Sequence, residues 1–115
     1  MRVIIAGSRE FNSPEVVDQV WRYSGFYIHE LVCGGARGVD QLAAKMAEGR
    51  IPIKYFLPDW EKYGKAAGPI RNRQMAEYAD ALIAIWDGKS KGTQNMIHEM
   101  EKLGKPTFVY KYGEK

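Results

Sequence analysis

Glycines, arginines and small hydroxyls recur together at four places in this chain. They are "GSREF" at residues 7–11, "GGARGVD" at 34–40, "PDWEKYGKAAGPIRN" at 58–72 and "WDGKSKGT" at 86–93, and eight of the 12 glycines fall in them. Glycine lets backbone amides approach a ligand closely. Arginine, lysine and hydroxyl groups donate charge-assisted hydrogen bonds to phosphate or carboxylate oxygens. The combination points to an anion held by loops. Ser8, Ser90 and Thr93 are candidate donors to phosphate, and Asp40 and Asp87 candidate acceptors for ribose hydroxyls. Phe11, Trp60, Tyr63 and Trp86 border the same loops, and a flat base could stack on one of them. Each residue also has a plainer reading. Glycines make tight turns, Ser90 or Thr93 caps a helix, Asp40 is an ordinary first-turn acid, and any single aromatic packs into the core.

The elements that position these loops follow from periodicity. Short apolar runs at Arg2–Ala6, Glu30–Cys33, Pro52–Phe56, Ala81–Trp86 and Thr107–Tyr110 read as strands. Between them lie helical patterns. The first opens with Ser13 as N-cap, Pro14 and Glu15, and carries Val16, Val17, Val20 and Trp21 on one face. The second carries Val39, Leu42, Ala43, Met46 and Ala47. A loop, "LPDWEKYGKAAG", precedes a third helix starting near Pro69. The fourth spans about Gly92–Leu103, with Met96, Ile97, Met100 and Leu103 inward, and Gly104 and Pro106 end it.

The alternation βαβαβαβαβ implies parallel pairing with right-handed crossovers. The expected architecture is α/β: a three-layer, doubly wound, Rossmann-like fold on a five-stranded parallel sheet, with residues 1–115 as one domain. Strand order 3-2-1-4-5 would place the reversal between strands one and four, where such folds bind ligands. "GSREF" and "WDGKSKGT" would then face each other. Cations crowd the same side. Arg37 precedes the second helix, Arg71 and Arg73 fall in the expected first turn of the third, and Lys89 and Lys91 precede the fourth. Positive charge at a helix N-terminus is unfavourable by about 0.3–1 kcal/mol. Three such placements on one side of a sheet suggest an anion that reconciles them.

The 115 residues are 45% apolar and 27% charged, a globular balance with a core of useful size. No run of 18 apolar residues is present, so no membrane span is expected. The lone Cys33 forms no internal disulfide and reads as a small buried hydrophobe, consistent with a cytoplasmic protein. His29 and His98 have no partner at metal-ligand spacing, so no metal site is expected, and no cofactor is implied. A P-loop, a G-x-G-x-x-G turn and a G-x-S-x-G elbow are all absent. The net charge of +3 is too mild to argue strongly for nucleic acid. Helices with apolar edges are compatible with a homodimer.

Taken in order, "GSREF", "CGGARGVDQLAAKMA", "PDWEKYGKAAGPIRNRQM" and "ADALIAIWDGKSKGT" resemble the small YspA/YpsA-related branch of the SLOG superfamily, from Val3 to about Pro106. "GGARGVD" is similar to the glycine-arginine-aspartate loop of the DprA group, and "GKSKGT" to the glycine-threonine loop of the LOG phosphoribohydrolases. The resemblance implies a pocket for a nucleoside monophosphate or an ADP-ribose-like molecule. It assigns Gly7, Ser8 and Arg9 from the first loop and Gly34, Gly35, Arg37 and Asp40 from the second, where Ala36 and Gly38 share the turn. It adds Gly68, Arg71 and Asn72 from the third, and Asp87, Ser90, Gly92 and Thr93 from the fourth. LOG enzymes carry a glutamate three residues after that threonine. Here the first acid is Glu99, nearly two helical turns on, which puts LOG-type hydrolysis in doubt.

The leading expectation is therefore a nucleotide-binding module. A second is an N-glycosidic hydrolase, which would need a carboxylate such as Asp40, Asp59 or Asp87. A third is a single-stranded DNA binder like DprA. The basic loops favour it; the absence of aromatic-basic interleaving beyond one pocket's worth opposes it.

Overall fold

The computed structural model describes residues 1–113. Five strands, β1 (Arg2–Gly7), β2 (Glu30–Cys33), β3 (Ile53–Tyr55), β4 (Ala81–Trp86) and β5 (Thr107–Lys111), form one parallel sheet of order β3-β2-β1-β4-β5 among these residues. Register runs Val3↔Leu31 on one side of β1 and Val3↔Ala81 on the other. The chain thus winds outward through β2 and β3, then returns to β4 beside β1. The architecture is α/β and Rossmann-like, with the strand reversal between β1 and β4.

Alternation of side chains along the strands builds two cores. Val3 and Ile5 of β1, with Ile83 and Ile85 of β4, face α1 (Pro14–Tyr23) and α2 (Val39–Ala47) through Val17, Val20, Val39 and Ala43. Ile4, Leu82 and Ala84 face the other way, against Met75 and Ala76 of α4 (Ala67–Tyr78) and Met96 and Met100 of α5 (Lys91–Lys102). Both faces of the central strands are covered, which is why they read as unbroken apolar runs. Ser13 caps α1 by accepting from the Val16 amide at 3.3 Å. At the far end of α4, Lys105 Nζ donates to the carbonyls of Ala76, Glu77 and Ala79 at 2.7–3.1 Å, satisfying acceptors that helix geometry leaves open.

Three details depart from the sequence expectation. The stretch before the third major helix is not a plain loop. Asp59 caps a one-turn helix, α3 (Trp60–Tyr63), through the Lys62 amide, and a 3-10 turn at Gly64–Ala66 leads directly into α4. Consequently α4 starts at Ala67, and Arg71 and Arg73 lie in its second turn, away from the unfavourable end. Leu103 caps α5 and is 48% exposed rather than inward.

Gly38 joins the second loop to the first. Its φ of 75° with ψ of −126° suits glycine, and an added Cβ would overlap the carbonyl oxygens of Ser8 and Arg9. Strain of this kind costs about 1–3 kcal/mol before any clash. Gly38→Ala should lower unfolding stability by about 2 kcal/mol or more, read from the urea midpoint. An unchanged midpoint would show that the two loops do not depend on each other.

Candidate functional site

The carboxyl ends of β1 and β4 part around a cleft of about 350 Å³. Its walls come from all four loop regions. Gly7, Ser8, Arg9 and Glu10 follow β1; Ala36 and Asp40 follow β2; Arg71, Asn72 and Met75 belong to α4; Asp87, Ser90, Gly92, Thr93 and Met96 follow β4. Four of its polar residues are buried: Ser8 at 3%, Thr93 at 5%, and Asp40 and Asn72 at 6% exposure.

Each buried group is held by a specific partner. The Ser8 amide donates to the Ile85 carbonyl at 3.2 Å, and its Oγ accepts from the Asp87 amide at 3.3 Å. Asp87 Oδ1 accepts from the amides of Ser90 at 2.7 Å and Lys89 at 2.8 Å, and these bonds hold its carboxyl below the usual range. Asn72 Nδ2 donates to the Gly92 carbonyl at 3.2 Å and to Asn95 Oδ1 at 2.9 Å, fixing the start of α5 against α4. Arg71 reaches across the cleft's side to the Gly34 carbonyl at 2.9 Å and the Phe56 carbonyl at 3.4 Å, while its Nε donates to Asn72 Oδ1. An added Cβ at Gly34 would overlap Arg71 Nη1, so a side chain there would displace the guanidinium from this position. Arg9 and Arg37 are exposed and form no ion pair among the described residues.

The first turn of α5 opens into this cleft. Its N-cap Ser90 makes no side-chain capping hydrogen bond; Ser90 Oγ lies 3.5 Å from Thr93 Oγ1 instead. The first helical amides there have no side-chain acceptor, unlike those of α1 and α3. Uncapped amides, a partial positive charge and the Thr93 hydroxyl make an anion-accepting wall.

A second cleft of about 340 Å³ adjoins the first. Arg9, Ala36 and Arg71 line both, and Gly34, Gly35, Arg37, Leu57, Pro58 and Trp60 complete it. The structure thus brings most of the sequence-derived candidates together, but divides them. Gly7, Ser8, Arg9, Ala36, Asp40, Arg71, Asn72, Asp87, Ser90, Gly92 and Thr93 line the main cleft; Gly34, Gly35 and Arg37 line only the flanking one.

Four candidates line neither. Phe11 packs on the core beside Tyr112, with ring centroids 4.7 Å apart. Trp86 donates its indole N–H to the Ser90 carbonyl at 3.0 Å, and Lys111 lies over its ring. Gly38 serves loop packing, and Gly68 lies within α4 facing Trp60. Tyr63, also proposed as a border aromatic, meets Lys62 instead. Ala6, Glu10, Met75 and Met96 line the main cleft without having been singled out; Glu10 stood in the "GSREF" motif, Ala6 read as the end of a strand, Met96 read as core, and Met75 carried no assignment.

Glu99 is 6% exposed and pairs with Lys102 at 3.4 Å and Arg73 at 3.7 Å, outside the cleft lining. Cys33 is fully buried, and burial, with Asp40 nearby, pushes its thiol up to about 11, so it stays protonated at neutral pH. No group of His, Cys, Asp and Glu among the described residues could hold a metal ion, and no helix among them is long and apolar enough to cross a membrane.

A parallel sheet of this order with its cleft at the reversal defines a Rossmann-like binding fold, and the comparisons place it further. The model of the YspA, cpYpsA-related SLOG family matches residues 1–63, and the chain belongs to that family. A relative, Gene 61 protein of Mycobacterium phage D29, is 34% identical over 127 residues, covering 99% of this chain and 98% of its own. No solved structure matches the chain.

Asp40 carries a measurable consequence. Its Oδ2 accepts from the amides of Gly34 and Ala36, both at 3.2 Å, yet burial outweighs these bonds and the nearby Arg71, raising its pKa from 3.8 to about 6. The folded state therefore holds this proton more tightly than the unfolded chain. Its stabilising contribution is full below pH 3.8 and is lost as pH rises through 6, about 3 kcal/mol in all. Asp40→Asn keeps an acceptor for the same amides and removes the ionisation. Wild type should lose stability relative to Asp40→Asn between pH 4 and pH 7 in urea titrations. A relative gain over that window would reverse the assignment.

Proposed function

We propose that this chain is a cytoplasmic binding or sensing module for a phosphorylated nucleoside, either a nucleoside monophosphate or an ADP-ribose-like molecule. The observation that carries the reading is the uncapped first turn of α5, opening beside Ser8 and Arg9 at the strand reversal. Phosphate oxygens would accept from the Gly92 and Thr93 amides, the Thr93 hydroxyl and the Arg9 guanidinium. Membership of the YspA, cpYpsA-related SLOG family agrees with a nucleotide-type ligand. Asp40, beneath this position, already serves the Gly34 and Ala36 amides and acts chiefly to hold the second loop in shape.

A hydrolytic reading is favoured only by the carboxylates lining the cleft. Of these, Asp87 is occupied by two amides and Asp40 is buried, which leaves the exposed Glu10; Glu99 lies outside the lining and is paired elsewhere. Release of free base from AMP or CMP should be negligible by chromatography; multiple turnovers that vanish in Asp40→Asn would establish the enzyme instead. A DNA-binding reading predicts a steep salt dependence from many phosphate contacts. The confined main cleft argues for weak single-strand binding that disappears near physiological salt.

Charge-assisted hydrogen bonds contribute roughly 1.5–3 kcal/mol each, and 1.4 kcal/mol is a factor of ten. AMP should accordingly bind at least about a hundredfold more tightly than adenosine in titration calorimetry, through two or more such bonds. Arg9→Ala should weaken AMP by about tenfold or more and leave adenosine unaffected. Equal affinity for the two ligands would remove the phosphate from the cleft.

A further inference from the structure

The main cleft presents hydroxyls, amides and guanidinium groups, but no aromatic ring lines it. Phe11 and Trp86, which stand nearest in sequence, are engaged by Tyr112 and by the Ser90 carbonyl. The aromatic surface lies next door. Trp60 is 54% exposed and Leu57 is 67% exposed, and both line the flanking cleft with Pro58 and Arg37. The ring stands on a helix of four residues that buries none of its side chains, so its face is free to meet a ligand. Gly68 lies beside the indole, and a Cβ placed there would meet its Cη2 at 3.7 Å, an ordinary packing contact. Arg9, Ala36 and Arg71 form the strip common to both clefts, so a molecule anchored in one passes directly over them into the other.

Building on the phosphate reading above, we propose that the flanking cleft is the base subsite of the same ligand and that Trp60 is its stacking residue. The phosphate rests against α5, the ribose crosses the Ala36–Arg71 strip, and the base lies on the indole with Arg37 at its edge. Each cleft alone is near the small end of the usual range for ligand pockets, about 300–1,000 Å³. Used together, they suit an elongated molecule with one charged and one flat end. Stacking tolerates every base because each has a π-face, so the subsite selects for the presence of a base more than for its identity.

The test uses titration calorimetry with AMP, GMP, CMP, UMP and ribose 5-phosphate on the full chain, Trp60→Ala and Trp60→Phe. Base–aromatic stacking measured by alanine substitution predicts a loss of about tenfold or more in nucleotide affinity for Trp60→Ala. Ribose 5-phosphate should bind that variant as it binds wild type, which also reports an intact fold. Trp60→Phe should recover most of the nucleotide affinity, and nucleotide but not ribose 5-phosphate should quench the wild-type tryptophan emission. Nucleotide affinity unchanged in Trp60→Ala would overturn the base subsite while leaving the phosphate assignment standing. Equal loss of both ligand types in Trp60→Ala would make Trp60 a support for the loop and overturn it as well. If neither ribose 5-phosphate nor any nucleotide binds wild type, the phosphate reading fails and the subsite with it.

Discussion

Ser8 directly follows the central strand, and its polar groups reach different parts of the chain. Its amide continues the sheet to Ile85, its carbonyl accepts from Val39 at the start of α2 and from Phe11 in its own loop, and its hydroxyl meets the Asp87 amide. A residue only 3% exposed thus fixes the β1, β2 and β4 loops relative to one another. Burying so many polar atoms is tolerable because each is partnered; left unpaired, such groups cost about 1–3 kcal/mol apiece. The cleft is the space that remains once these bonds are made.

Around that node the labour is divided by chemistry. Asn72 and Arg71 spend their hydrogen bonds on backbone carbonyls at the ends of β2, β3 and the start of α5, so they shape the walls. Asp40 does the same for the second loop. The groups without such duties are the exposed guanidinium of Arg9, that of Arg37, the first amides of α5 and the open indole of Trp60, the ones proposed above to meet the ligand. Asp40 and Asn72 are buried and Arg71 is half-buried, whereas Arg9, Arg37 and Trp60 lie exposed at the rim, so the walls are held by bonds within the chain itself.

The strands were legible because burial on both faces leaves apolar runs, and β2 and β4 match those runs at both ends. The first helix was legible from Ser13 and Pro14, whose capping roles are local. What could not be read depends on contacts distant in sequence. Phe11 and Trp86 look like free aromatics until Tyr112 and the Ser90 backbone are placed beside them. The one-turn α3 hid inside a polar, glycine-containing stretch too short to show a period, and missing it misplaced Arg71 at a helix start. Loop composition revealed where the site lies; only tertiary packing separates the residues that build it from those that face outward.

The hydrogen bond between Ser8 and Asp87 spans 79 positions of a 115-residue chain. The β1–β4 pairing beside it cannot form until nearly the whole intervening sequence has been gathered, and closing loops of that length is slow. No fragment that stops short of β4 contains both walls of the cleft. Occupancy and completed folding are consequently linked, since a ligand recognising both walls has no purchase on a half-assembled chain. By mass action such a ligand draws the population toward the finished fold.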